Sequence, residues 1–126
     1  MMINVKVLPD VLAQAKSSGI IGCMILTSEG DLIASSETGT EPQLVGAISA
    51  NIFGTYQRLA HSVMKDELDN VLIFCSEGLV AVAEMGKFLL CVYGADNAEA
   101  GLLKAKVAAL RSSLEGPLKE VAASMA

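Results

Sequence analysis

The chain has 126 residues with a formal charge of −5; 52% of its residues are hydrophobic, only 18% are charged, and none is Trp. That length suits one domain, residues 1–126, around one core, and the acidic balance, with no run of Lys or Arg, argues against nucleic acid or anionic lipid as the direct partner. A mean hydropathy of +0.51 points to apolar surface shared with another protein, because the longest apolar stretches, Ile20–Leu26 and Phe88–Ala95, fall well short of the roughly 20 residues a membrane-spanning helix needs. No basic-then-apolar leader is visible, so a cytosolic protein is expected.

Leu8, Val11, Leu12 and Ala15 recur at helical spacing and predict a short first helix from about Lys6 to Lys16, with Pro9 in its opening turn and Ser17-Ser18-Gly19 ending it. Ile20–Thr27 is a continuous apolar run broken only by Gly22, as expected of a buried strand. Ser28-Glu29-Gly30-Asp31 has hairpin-turn composition, and Leu32–Ser35 returns as a second strand.

Thr40 with Gln43 forms a capping-box pattern ahead of a helix from about Glu41 to Ala60. Its apolar residues Leu44, Val45, Ile48, Ile52, Phe53, Tyr56, Leu59 and Ala60 spread over about half the circumference, wider than packing on one sheet requires. The surplus edge is expected at Ile52, Phe53, Tyr56 and Ala60, beside the small residues Gly46, Ser49 and Ala50. Either a helix from another chain or a cover from the same chain satisfies that edge.

The polar stretch His61–Asp69 reads as a loop. Val71–Cys75, Leu79–Glu84 and Phe88–Tyr93 follow as three strands, punctuated at Glu77-Gly78 and Met85-Gly86. The gaps are too short for crossover helices, so these strands should form an antiparallel meander. Asp96 with Glu99 repeats the capping pattern before a last helix striped by Leu103, Val107, Leu110, Leu114, Leu118 and Val121. Gly116-Pro117 should kink or unwind it near Ser113. One sheet with helices on both faces accounts for strands that are apolar on both sides.

Chemistry-bearing residues are sparse. His61 is the single histidine, at the polar end of a helix with Arg58 a turn earlier, and reads as solvated. Cys23, Cys75 and Cys91 all sit in apolar strands and should behave as small hydrophobes with raised pKa values. No metal-ligand spacing and no glycine-rich phosphate loop occurs, and the acidic run Asp66, Glu67, Asp69 reads as a solvated loop. Asn51, polar on an apolar helix, is expected as a buried hydrogen-bond anchor or at a wet edge. Neither an enzyme nor a cofactor is expected.

Several strings, taken together, carry a family resemblance. They are Val11-Leu12-Ala13-Gln14-Ala15, Glu29-Gly30-Asp31-Leu32-Ile33-Ala34, Ile48-Ser49-Ala50-Asn51-Ile52-Phe53-Gly54-Thr55-Tyr56, and a C-terminal block. That block comprises Leu89-Leu90-Cys91-Val92-Tyr93, Gly101-Leu102-Leu103-Lys104-Ala105-Lys106, Glu115-Gly116-Pro117-Leu118 and Val121-Ala122-Ala123-Ser124. In this order the chain resembles the roadblock (dynein light chain) superfamily, and within it the roadblock subunits of the Ragulator complex. It departs from them at Phe53, where they have a larger aromatic, and over Glu37–Gln43 and Leu59–Glu67.

The resemblance implies an α/β (α+β) fold: a five-stranded antiparallel sheet with one helix on one face and two on the other. It implies pairing with a second roadblock-domain subunit, as a heterodimer or a homodimer, through the middle helix and the edge strand after it. The expected partner surface is therefore Val45, Ser49, Ile52, Phe53 and Tyr56 on the helix with Val71, Ile73 and Cys75 on the strand. It further implies a non-catalytic adaptor for Rag GTPase, TOR and MAPK signalling at the cytosolic face of late endosomes or lysosomes, recruited by a lipid-anchored Ragulator subunit. Two other roles within the superfamily are a homodimeric regulator of a small GTPase, to which Arg58 or Arg111 would be donated, and a dynein-associated light chain.

Overall fold

The computed structural model describes residues 7–14, 16 and 19–125, apart from the side chains at 117, 120–122, 124 and 125. Chain order is α1 (Leu8–Ala13), β1 (Ile20–Thr27), β2 (Leu32–Ser35), α2 (Thr40–Leu59), a π-helical turn (Ala60–Met64), β3 (Asn70–Cys75), β4 (Gly78–Met85), β5 (Phe88–Ala95) and α3 (Ala100–Met125). All five strands form one antiparallel sheet in the order β2-β1-β5-β4-β3. Its central strands carry the continuous apolar runs and are covered on both faces, whereas the edge strand β3 is only half-buried.

Two hydrophobic layers hold helices to the sheet. On one face Leu8 and Leu12 of α1 and Leu103, Val107, Leu110, Leu114 and Leu118 of α3 meet Cys23, Ile25, Leu90 and Val92. On the other, Ala50 and Phe53 of α2 meet Met24, Leu26, Val82, Leu89, Cys91 and Tyr93. The expected architecture of one helix against two is therefore present.

Gly46 sets the distance at which α2 rides on the sheet. A Cβ there would stand 2.7 Å from Leu26 Cδ2 and 3.1 Å from Met24 Sδ. The helix thus turns its small residues and Phe53 inward.

Several boundaries differ from the sequence reading for identifiable reasons. The helix α1 is shorter than expected; Lys6, Ala15, Ser17 and Ser18 lie outside the described residues. Gly39, at φ 107°, is the N-cap of α2 without a side-chain bond, so Thr40 is already helical and the capping box with Gln43 does not form. Likewise α3 begins at Ala100, and the Glu99 carbonyl accepts the N–H groups of Leu102 and Leu103 at 3.0 and 3.1 Å. The two later hairpins turn at Ser76-Glu77 and Gly86-Lys87, one residue off the expected pairs.

The first part of the segment read as a loop after α2, His61–Met64, instead continues as the π turn, and residues 65–69 are irregular. There the Ser62 hydroxyl donates to the Arg58 carbonyl at 2.6 Å, and the Asp66 N–H reaches the Ala60 carbonyl at 3.1 Å. Lys65 closes it at φ 55°. Pro117 does not unwind α3, which stays helical through to Met125. Leu114 and Leu118, buried on either side of it, hold that turn against the sheet.

Candidate functional site

Helix α2 has two apolar faces rather than one widened face. Phe53 is 1% exposed, and Pro42, Gly46, Ser49, Ala50 and Ala60 are buried with it. Outward stand Leu44, Ile48 at 60%, Tyr56 at 51% and Leu59, with Ile52 and Val45 at the margin. The expected edge is therefore divided: Tyr56 faces out and Ile52 lies at the margin, whereas Phe53, Ala60 and the small residues serve close approach to the chain's own sheet. Phe53 and Ser49 are accordingly not partner-facing in this structure. Ser49 instead lies over the sheet, where its Oγ accepts a weak bond from the Cys91 thiol at 3.8 Å.

The outward face of α2 leads directly to the open sheet edge. Between them runs an apolar groove of about 580 Å³, walled on one side by Ile52, Tyr56, Leu59 and Met64 and on the other by Val71 and Ile73 of β3. The π turn is what brings Met64 to the groove, because one extra residue per turn rotates the chain that follows. Leu59, Met64 and the 71% exposed Phe74 are groove residues that sequence reasoning left out. For Phe74 the signal was available, since a strand whose two faces are both apolar at an edge has no cover for either.

Of the remaining candidates, Val71 and Ile73 lie on the α2 side of β3, partly buried against the same layer as Val45. Cys75 is exposed, contrary to the expectation of a buried thiol, because it closes the β3–β4 hairpin opposite Gly78 at the end of the edge strand. Cys23 and Cys91 are buried as expected; loss of hydration pushes their thiols up to about 11 and about 12. His61 is exposed. Asn51 is exposed too, its carbonyl accepting the Thr55 hydroxyl at 2.9 Å, so it is no buried anchor.

The two arginines have different surroundings. Arg58 is exposed, with one contact of 3.4 Å to the Thr55 hydroxyl. Arg111 is tied down: Nη1 and Nη2 reach the two Asp69 carboxylate oxygens at 3.0 and 3.2 Å, and Nη1 also donates to the Glu84 carbonyl at 3.2 Å. Among the described residues no three of His, Cys, Asp and Glu come together as a metal-binding set, and no helix is long and apolar enough to cross a membrane.

What this arrangement offers is a surface for another polypeptide: an apolar helix face, a groove, and a strand with free backbone groups. Over 124 residues the chain is 26% identical to the Ragulator complex protein LAMTOR2 homolog of Caenorhabditis elegans, covering 95% of this chain and 96% of that one.

Among solved structures it superposes on a Roadblock/LC7 domain from Streptomyces avermitilis with a TM-score of 0.81 at 14% identity, covering 89% of this chain and 98% of that one. It superposes on Myxococcus xanthus MglB with a TM-score of 0.78 at 15% identity, covering 95% of each. The Roadblock/LC7 domain model matches residues 7–94. With that match across most of its length and this five-stranded architecture, the chain belongs to the Roadblock/LC7 domain family.

Proposed function

We propose that this chain is a non-catalytic adaptor subunit that pairs with a second roadblock-type domain through the outward face of α2 and the β3 edge. The pair acts in a Ragulator-like complex at the cytosolic face of late endosomes or lysosomes. There it is held by a lipid-anchored subunit and presents signalling proteins of the Rag GTPase, TOR and MAPK pathways. The observation that carries this reading is the continuity of the groove from Tyr56 and Leu59 to Val71 and Ile73. An exposed apolar surface joined to a bare strand edge is unstable alone and well suited to an added strand. The full-length similarity to a LAMTOR2 homolog supports the choice of complex.

The test is affinity purification of a tagged chain from its own cells, compared with Tyr56→Asp and Ile52→Asp. Recovery of a roadblock-domain protein together with late-endosomal membrane, lost in both folded variants, is the expected result. Undiminished recovery with Tyr56→Asp counts against the surface, and recovery of a dynein intermediate chain instead counts against the complex.

A second reading, regulation of a small GTPase, draws on the solvent-facing guanidinium of Arg58. It requires that the purified protein accelerate GTP hydrolysis and that Arg58→Ala abolish the effect.

A further inference from the structure

Ser28 stands at the tip of the β1–β2 hairpin and is followed by Glu29, Gly30 and Asp31. Ser28, Glu29 and Asp31 are all exposed. The turn is held by other groups. The Gly30 N–H donates to the Thr27 carbonyl at 3.0 Å, and the Asp31 N–H donates to the Thr27 hydroxyl at 3.0 Å. Neither bond uses the Ser28 hydroxyl or the two carboxylates, so those three side chains face solvent with no part in forming the turn.

Two features separate this serine from the other hydroxyls. The first is a carboxylate at the next position and another at the third position after it. A kinase whose substrate groove is lined with Lys and Arg selects a hydroxyl followed by such carboxylates, by charge complementarity. Thr38 and Ser112 also have a carboxylate three residues on, at Glu41 and Glu115, but neither has one at the next position, and Ser112 lies inside α3.

The second feature is a cation on the neighbouring hairpin. Thr27↔Phe88 is the last pair of the β1–β5 ladder, so Ser28 and Lys87 leave that ladder side by side. Both line one cleft of about 50 Å³, together with Gly54 and Gln57 of α2. Lys87 makes no ion pair among the described residues. Glu84 also lines the cleft, but its carboxylate already accepts the Gln57 amide at 2.8 Å.

From this arrangement we infer that Ser28 is a phosphorylation site for an acidophilic serine kinase, and that the phosphate settles against Lys87. In the transfer, Ser28 Oγ bonds to the γ-phosphorus of ATP and the bond from that phosphorus to its bridging oxygen breaks. ADP leaves, and the hydroxyl proton passes to the kinase's base. Because β2 is a four-residue edge strand whose pairing with β1 shifts between Ile25 and Leu26, the hairpin tip can be drawn into a kinase groove without opening the core. The phosphate adds about −1.5 to −2 charge at neutral pH and links two hairpins through Lys87. It lies three strands from β3, roughly 14 Å by strand spacing, so the modification acts apart from the proposed pairing edge.

Phosphate transfer to the folded protein tests the site. Incubation with a purified acidophilic serine kinase, ATP and Mg²⁺, followed by peptide mapping, should place one phosphate on Ser28. Ser28→Ala should abolish it, and Glu29→Gln with Asp31→Asn should slow incorporation roughly tenfold or more. Both carboxylates are exposed, and an unchanged melting point checks that the double variant stays folded. No phosphate on Ser28, or phosphate there only once urea has unfolded the chain, overturns the site. Undiminished incorporation in the folded double variant overturns the kinase class.

Phosphorus NMR of the modified protein tests the contact with Lys87. A neighbouring ammonium favours the doubly charged phosphate. In Lys87→Met the midpoint of the second ionisation should therefore lie about 0.2–0.7 pH higher than in the phosphoprotein that keeps Lys87. Glu29, Asp31 and Glu84 face the phosphate in both proteins, so the difference between them reports Lys87 alone. Equal midpoints overturn the contact.

Discussion

Arg111 on α3 grips Asp69 through two parallel bonds, Nη1 to Oδ1 at 3.0 Å and Nη2 to Oδ2 at 3.2 Å, at the point where the chain enters β3. A third bond of 3.2 Å to the Glu84 carbonyl ties the same guanidinium to β4. One side chain on the two-helix face thereby fixes the start of the strand that carries half the proposed interface.

That clamp predicts a pH effect. Bonds from Arg111, then from Asn70, hold the Asp69 carboxyl below its ordinary value. A depressed folded-state value contributes stability above the unfolded value, about 3.9, and loses it as pH falls through the folded value. The Asp69 side chain is two-thirds exposed, so the contribution at neutral pH is on the order of 0.5–1 kcal/mol. Urea unfolding of Asp69→Asn should show that deficit at pH 7 and a smaller one at pH 3. An equal deficit at both values rules out the charge as its source.

Gly46 and Gly54 lie on the same helix and should respond oppositely to alanine. At Gly46 a methyl group meets Leu26 and Met24, both fully buried. The strain of about 1–3 kcal/mol exceeds the gain of roughly 1 kcal/mol in helix propensity. At Gly54 the nearest atom is Arg58 Nη1, 3.7 Å away on an exposed side chain, so Gly54→Ala should stabilise by about 0.4–1 kcal/mol. Thermal unfolding of the two variants, with melting points moving in opposite directions, checks both.

The contrast on α2 also explains what could be read from the sequence. Strand ends at Ile20–Thr27 and Leu32–Ser35 were legible because apolar runs bounded by Gly and turn residues leave little freedom in where a strand stops. That α2 carries too much apolar surface for one face was legible as well. Which of its faces meets the sheet was not. Periodicity ranks faces by hydrophobicity, whereas the decision here is steric: Gly46, Ser49 and Ala50 let the helix settle onto Met24 and Leu26, and Phe53 fills the space beyond. The π turn escaped for a related reason, since His61-Ser62 and Lys65-Asp66 look like loop residues until their hydroxyl and backbone bonds to Arg58 and Ala60 are seen.

Phe53 and Tyr56, three residues apart, should therefore separate stability from pairing. Phe53 is among the largest fully buried side chains, and Phe53→Ala should cost about 3–5 kcal/mol through the cavity it leaves. Tyr56→Ala, on the outward face, should change monomer stability by less than about 0.5 kcal/mol and weaken association. Chemical unfolding at low concentration measures the first, and sedimentation across a concentration series the second. A large loss of monomer stability with Tyr56→Ala would place that ring in the core and contradict the two-faced helix.

The three thiols give a probe of the β3 edge that needs no substitution. Cys75 is exposed at the end of the strand, whereas burial pushes Cys23 up to about 11 and Cys91 up to about 12. The thiolate is the reacting form, so at pH 8 one cysteine should label quickly and two should wait for unfolding. The fast thiol belongs to the strand proposed to pair, and raising the protein concentration should slow its labelling as the edge is covered. Peptide mapping of the labelled chain distinguishes the sites. A fast reaction at Cys23 or Cys91 in the folded protein contradicts the buried placement, and a Cys75 rate independent of concentration in a sample shown to dimerise moves the seam away from the end of β3.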